Sequence, residues 1–282
     1  MTQSAAVTLP FDSLTVVERP LSPLTRLWNI PMLRRGVILA MLAVIWQIYA
    51  GLADNPLMFP SFSGTATAFW DAVTRGTLLA KSWTSVQVLL LGYAIGVSIA
   101  FVLAGIAAST RMGEDLLATL TAMFNPLPAI ALLPLALLWF GLGTPSLLFV
   151  LVHAVLWPLA LNASAGFSSV SETLRMAGRN YGLTGWRYIA RILIPAAFPA
   201  ILTGLKIGWA FAWRTLIAAE LVFGVASGSG GLGWFIFENK NRLETDYVFA
   251  GLGTVIIIGL LVEGLIFRTI ERHTIRKWGM QR

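Results

Sequence analysis

Three ionisable residues, Lys206, Arg214 and Glu220, stand inside an otherwise apolar stretch from Ala197 to Phe223. An arginine keeps its charge at any physiological pH, and its planar fork grips a sulfonate, nitrate or carboxylate through two parallel hydrogen bonds. On a helix, Lys206 and Glu220 fall within about 40° of each other. Arg214 lies about 12 Å along from Lys206 and about 80° round. The chemistry on offer is a cationic lining for an anion. For Lys206 and Glu220 a plainer reading is preferred: the lysine reaches out to the nearer interface, and the glutamate caps the far end of the helix against a neighbour. Arg214 is assigned to binding. Glu220, the nearest acid on its helix, points about 120° away, and a lone buried guanidinium is costly.

A second polar set interrupts Leu116–Phe140: Asn125, Pro126, Pro128 and Pro134. Each proline removes a backbone donor and frees a carbonyl. In an apolar setting, broken helices persist where they are buried or line a cavity. These four residues and Arg214 therefore read as the wall of a pathway. His153 and Asn162 read as satisfied core groups, and Glu263 as a partner for Arg268 or for a cation on another helix.

Other chemistry is excluded. There is no cysteine, and the 2 histidines have no ligand cluster around them, so no metal is assigned. No Ser-His-Asp set or carboxylate pair suggests catalysis. Gly228–Gly233 fits G-x-G-x-x-G by letter but follows an apolar helix rather than a strand. It reads as a turn into a surface helix whose Trp234, Phe235 and Phe237 suit an interface. No G-x-x-x-x-G-K-[ST] loop occurs, so the chain cannot be its own ATPase.

The elements that must position these residues are membrane helices. Hydrophobic residues make up 57% of the chain and charged ones 12%, about half the share usual in a soluble domain. A span needs about 20 mainly apolar residues. Six stretches qualify: Gly36–Ala53, Trp83–Ser109, Leu116–Phe140, Ser146–Phe167, Ala197–Phe223 and Val248–Phe267. Residues 1–33 read as a cytoplasmic tail with a short surface helix near Leu24–Leu33, and 34–282 as one membrane domain. The start does not look like a cleaved signal, since its first basic residue is Arg19. Of the loop charges, fourteen Lys and Arg fall in one alternate set of loops and four in the other, which places both termini inside. The net charge of +7 is thereby read as facing anionic lipid, with no nucleic-acid partner. The two long outer segments, Asp54–Ser82 and Gly224–Tyr247, could each carry a short helix lying on the membrane. Small residues on the fifth span (Gly204, Gly208, Ala212, Ala219) would let a second copy approach closely.

From Leu116 to Val170 there is no Asp, Glu, Lys or Arg; then Ser171–Pro199 brings Arg175, Arg179, Arg187 and Arg191. Thr173–Tyr181 can form a helix with Ser171 as N-cap and Glu172 in its first turn. Gly182 stops it, and Thr184 caps a second helix, Gly185–Ile194, that Pro195 interrupts. A helix–glycine–helix elbow beneath a bilayer makes a rigid knob for a cleft on a partner; the alternative is an ordinary solvated helix hairpin.

This loop resembles the EAA loop of ATP-binding cassette importer permeases: E-A-A, three residues, Gly, then about a dozen residues to an aliphatic residue and Pro. Met176-Ala177-Gly178 stands at the E-A-A, Gly182 at the glycine and Ile194-Pro195 at the end. More narrowly, the chain is similar to the nitrate/sulfonate/taurine/bicarbonate permeases. The matching segments are Asn125–Pro128, Leu133-Pro134, Trp139–Gly143, Ile201–Lys206, Ala218–Leu221 and Val248–Gly251. The resemblance runs from about Pro60 to the C-terminus. It implies an all-α type I importer transmembrane domain of about six helices in a bacterial inner membrane. It also implies two cytoplasmic ATPase subunits that carry ATP and Mg and grip the loops, a second permease copy, and a periplasmic binding protein that delivers solute. No cofactor is implied in this chain. By resemblance Met176, Ala177, Gly178, Gly182, Ile194 and Pro195 are the coupling residues, and the solute is a small anion, with an aliphatic sulfonate or taurine-like one favoured over nitrate, bicarbonate or an aromatic or heterocyclic solute. There are departures. Met176 replaces the E and Gly178 the second A, at about 1 kcal/mol in helix propensity for the glycine. Where the family often has an arginine between Ser85 and Gly92, Val88 stands, and Arg214 appears where the family is usually apolar. The rival from another class is an ion-coupled secondary transporter; it predicts inverted repeats, which the sequence lacks, and leaves the loop unexplained.

Overall fold

The first helix, α1 (Pro31–Ala53), opens on a proline, where the missing backbone donor costs nothing. Its ring contacts join Trp46 and Tyr49 to Phe59, Phe62 and Phe249, and Trp46 Nε1 donates to Pro60 O. Otherwise α1 is exposed, with only Ala50 buried, as suits a helix facing lipid. The computed structural model describes residues 28–223 and 230–277. Pro31–Leu33 thus belong to α1 rather than to the tail, and the rest of the tail expected over 1–33 lies almost wholly outside the described residues.

The remaining helices are α2 (Phe62–Thr74), α3 (Thr77–Ser109), α4 (Arg111–Phe124), α5 (Leu133–Phe140), α6 (Thr144–Ser168), α7 (Glu172–Asn180), α8 (Gly185–Ala196), α9 (Phe198–Phe223), α10 (Leu232–Asn241) and α11 (Thr245–Leu261). The last continues through widened π-type turns to Ile275. Among the described residues there is no strand. Among the described residues four helices are long and apolar enough to span a membrane, and two bent pairs, each counted as one span, bring the number to six. The six apolar stretches of the sequence each correspond to one of these.

The third stretch is not one straight helix. α4 and the segment Ala129–Phe140 meet at 85°, because Pro126 and Pro128, either side of Leu127, each remove a helical donor and Pro128 itself is extended. Pro134 does something else: it sits in the first turn of α5, where a proline is tolerated, and breaks nothing. The fifth stretch is one helix, α9, and an 80° bend separates it from α8.

The core is α6 held between α3 and α9. Backbones approach closely here. A Cβ at Gly92 would lie 2.7 Å from that of Leu151, and one at Gly204 would lie 2.8 Å from that of Asn162. Gly208 packs on Val155, and Ala212 and Ala219 are fully buried. The small residues of the fifth span therefore pack within the chain, against α6 and the core, rather than receiving a second copy as expected from the sequence.

α10 is not a helix lying on a surface. Leu232, Gly233, Phe235, Ile236 and Asn239 are buried against the core, and only its other face carries the stacked Trp234 and Phe237. Residues 228 and 229 of the glycine-rich motif lie outside the described residues. Glu220, 2% exposed, holds the start of α10: its carboxylate accepts from Gly233 N at 2.8 Å and from Ser85 Oγ at 2.8 and 2.9 Å. Ser85 Oγ in turn accepts from Leu232 N at 2.7 Å. The expected capping role of Glu220 is thus realised, on the next helix rather than its own.

Candidate functional site

Two places gather the residues picked from the sequence. The first is a cavity of about 280 Å³ between the α4–α5 bend, α6 and α9. Asn125, Pro126 and Pro128 line it from the bend, and Phe211, Arg214 and Thr215 from α9. Pro134, in α5, does not reach it. From α6 come His153, Ala154, Trp157 and Pro158. Residues three and four apart share a helix face, so His153 with Trp157 and Phe211 with Arg214 and Thr215 were legible as facing pairs on their own helices.

Arg214 is exposed rather than buried as expected from the sequence, and it is held but not neutralised. Its Nε donates to Ala210 O at 3.1 Å, and its guanidinium carbon sits 5.4 Å over the Phe211 ring. Among the described residues it has no ion pair. His153 Nε2 and Trp157 Nε1 are both buried without a hydrogen-bond partner. His153 is therefore not the satisfied core group expected from the sequence, whereas Asn162 is, donating to Pro158 O at 2.7 Å. Trp157, 7% exposed and stacked on Phe124 with ring centres 5.2 Å apart, was not singled out at all.

On its other side Arg214 borders a larger cavity of about 720 Å³ with Lys206, Trp209, Trp213, Glu263 and Phe267. Here the cation is already answered, since Lys206 Nζ lies 2.8 Å from Glu271 Oε2. Glu263, expected to pair with Arg268 or another cation, makes no ion pair among the described residues and places a carboxylate on this wall.

The second place is the elbow. α7 ends in a closed turn: Gly182 N donates to Arg179 O at 2.9 Å and Leu183 N to Gly178 O at 3.1 Å, with Gly182 at φ 71°. This is the pair of bonds that a left-handed glycine makes at a helix end. Ser171 and Thr184 occupy the N-cap positions, but neither side chain caps; both hydroxyls are exposed. Arg175 is not a free loop charge. Its Nε donates to Val170 O at 3.1 Å and its Nη2 to Phe167 O at 2.5 Å, which ties α7 to the carbonyl end of α6. Gly178 is buried, and a Cβ there would meet Ile192 at 3.0 Å and Tyr188 at 3.1 Å. Met176 is exposed, Ala177 half-buried, and Ile194-Pro195 lies at the end of α8, just before the 80° bend.

Compared with known families, residues 92–276 match the binding-protein-dependent transport system inner membrane component. The chain belongs to this family. As a permease it is similar to the taurine transport system permease protein TauC of Escherichia coli (31% identical; 87% of this chain, 91% of the relative). It is also similar to the putative aliphatic sulfonates transport permease protein SsuC of the same bacterium (30%; 79% and 83%). A third relative is the nitrate import permease protein NrtB of Synechocystis (28%; 88% and 92%). These relatives make it an ATP-binding cassette importer permease of the nitrate/sulfonate/taurine group, a multi-pass inner-membrane protein. Such permeases are the membrane subunits, not enzymes themselves, and they associate with ATP-binding subunits and a solute-binding protein.

Proposed function

We propose that this permease imports a small organic anion, sulfonate-like, by ATP-driven alternating access, with Arg214 as the group that grips the anion. The observation that carries this is an arginine without an ion pair on a membrane helix, lining a cavity beside the Asn125–Pro128 bend. A charge in such a place is expensive and is turned to use. The relatives are named for taurine, aliphatic sulfonates and nitrate, all of which present an oxyanion. Asn125, Pro126 and Pro128 form the wall of the pathway together with Arg214; Pro134 shapes the neighbouring helix. The elbow, through Met176, Ala177, Gly178, Gly182, Ile194 and Pro195, docks on an ATPase subunit that carries ATP and Mg. Two permease copies and two ATPases make the complex, both termini are cytoplasmic, and a periplasmic binding protein delivers the solute.

The test is Arg214→Leu in the assembled complex. It removes an unpaired charge, so assembly is expected to be kept or improved while uptake is lost; Arg214→Lys should retain part of it. Wild-type uptake by Arg214→Leu, or its failure to fold, would make the residue structural and defeat the reading.

A further inference from the structure

We propose that Glu263 is the positioning residue for Arg214: its carboxylate takes the guanidinium when no solute is bound and yields it when an anion arrives. The inference deepens the reading of Arg214 given above and rests on it.

Two charges of opposite sign line one cavity. Arg214 on α9 and Glu263 on α11 both border the space of about 720 Å³ between those helices, and neither makes an ion pair among the described residues. Both are exposed. The other cation on this wall, Lys206, is engaged by Glu271 at 2.8 Å. The rest of the lining is apolar, with Trp213, Val255, Leu260 and Phe267 in it. An isolated charge on a membrane span is costly, and such groups pair with one another or face water. Within this cavity each of the two is the other's open counter-charge.

Their places along the helices bring them together. α9 and α11 pass in opposite directions: Lys206 meets Glu271, the Trp209 ring lies 6.4 Å from that of Phe267, and Trp213 Nε1 donates to Val255 O at 3.2 Å. Glu263 stands between Phe267 and Val255, so its level is that of the stretch from Trp209 to Trp213, and Arg214 is the next residue along. A helical side chain leans toward the N-terminus of its own helix. On opposed helices, Arg214 and Glu263 therefore lean toward each other. Arg214 shows this directly: its Nε is bonded to Ala210 O and its guanidinium lies over Phe211, one turn back. Only Nε is engaged, which leaves the other donors of the fork for a carboxylate. Arg214 also borders the smaller cavity beside the Asn125–Pro128 bend. A long arm between two cavities can serve an anion on one side and Glu263 on the other. The two compete for the same fork, so Glu263 compensates the charge of the empty site and loosens the hold on the anion at release.

The experiment reverses the charges in the permease–ATPase complex in lipid nanodiscs, without solute, and reads the thermal unfolding midpoint. Arg214→Glu places two carboxylates in the cavity, and Glu263→Arg two guanidinium groups. Each should lower the midpoint by about 2 °C or more, and Arg214→Glu/Glu263→Arg should recover at least about half of the summed loss. Two residues that do not meet would give additive losses, and that result overturns the inference. If the single reversals do not assemble, assembly of the swap is the supporting result and its failure the overturning one. A second measurement is independent of charge. The chain has no cysteine, so Arg214→Cys/Glu263→Cys carries the only thiols of the permease. A short bis-methanethiosulfonate should bridge them within one chain; a bridge between two permease chains, or none, would overturn the inference. The uptake test of Arg214→Leu separates the two levels. Lost uptake there, with no rescue by the swap, keeps the anion reading and removes Glu263 from it. Unaltered uptake removes both.

Discussion

Replacing Gly233 by alanine should unseat α10, and the size of the effect can be worked from the contacts. A Cβ at Gly233 would stand 2.6 Å from Glu220 Cβ and 2.7 Å from Ile217 O. Carbon–carbon contact is comfortable near about 3.5–4.0 Å, so the start of α10 must move out by about 1 Å. Neither obstacle is the far end of a flexible chain, so α10 has to give. The bonds Gly233 N–Glu220 Oε2 and Leu232 N–Ser85 Oγ, now 2.8 and 2.7 Å, would stretch beyond hydrogen-bond range. The first has a carboxylate acceptor and contributes about 1.5–3 kcal/mol; the second contributes about 1 kcal/mol. Helix propensity returns less than about 1 kcal/mol, since the site is in the first turn. The net expectation is a loss of about 2–3 kcal/mol. The control is Gly253→Ala in α11, where a Cβ would meet nothing within 4 Å. There the same substitution should stabilise by about 0.5–1 kcal/mol. Both variants are measured as purified complexes by detergent-denaturation midpoint, followed by helical circular dichroism. Opposite signs are expected. If Gly233→Ala matches wild type, or if both variants shift the same way, the Glu220–Ser85 latch does not hold α10.

Three further outcomes are expected. Gly182→Asp should insert and assemble normally yet lose solute-stimulated ATPase activity and uptake, because Asp at φ 71° strains the closed turn and adds charge to the docking knob; full coupling in that variant would contradict a transmitting role. Arg175→Leu should leave the Phe167 and Val170 carbonyls unbound and loosen α7 from α6, read as faster hydrogen exchange in 172–180 with slower uptake; unchanged exchange would show that the two bonds are idle. Native mass spectrometry should find two permease chains with two ATPase subunits, and a single permease chain in that complex would remove the second copy.

How much of this was legible beforehand differs from residue to residue, for physical reasons. The spans and the elbow were readable because both are local: about twenty apolar residues demand a helix in lipid, and a glycine after a helical run demands a left-handed stop. The bend at Pro126 and Pro128 was readable for the same reason, but not the harmlessness of Pro134, which depends on where the next helix happens to begin. Small residues were read correctly as marks of close approach and wrongly as to the partner. Periodicity says that Gly204 and Gly208 share a face but not whether α6 or a second chain fills it.

The same blindness explains the candidate site. Arg214 was conspicuous because a charge in an apolar run needs no context to be odd. His153 and Trp157 were not, because a histidine and a tryptophan on a buried helix are ordinary until the neighbouring atoms are placed and found to offer them nothing. Gly178 makes the converse point. Against the family's pattern it looked like a small loss of helix propensity. In the fold it is where α7 meets Tyr188 and Ile192, with no room for a Cβ unless one of them yields by a few tenths of an ångström. The departure at Gly178 and the ring of Tyr188 are thus one feature of the elbow, and the residue that made the loop look weaker in sequence is the one that lets its two helices touch.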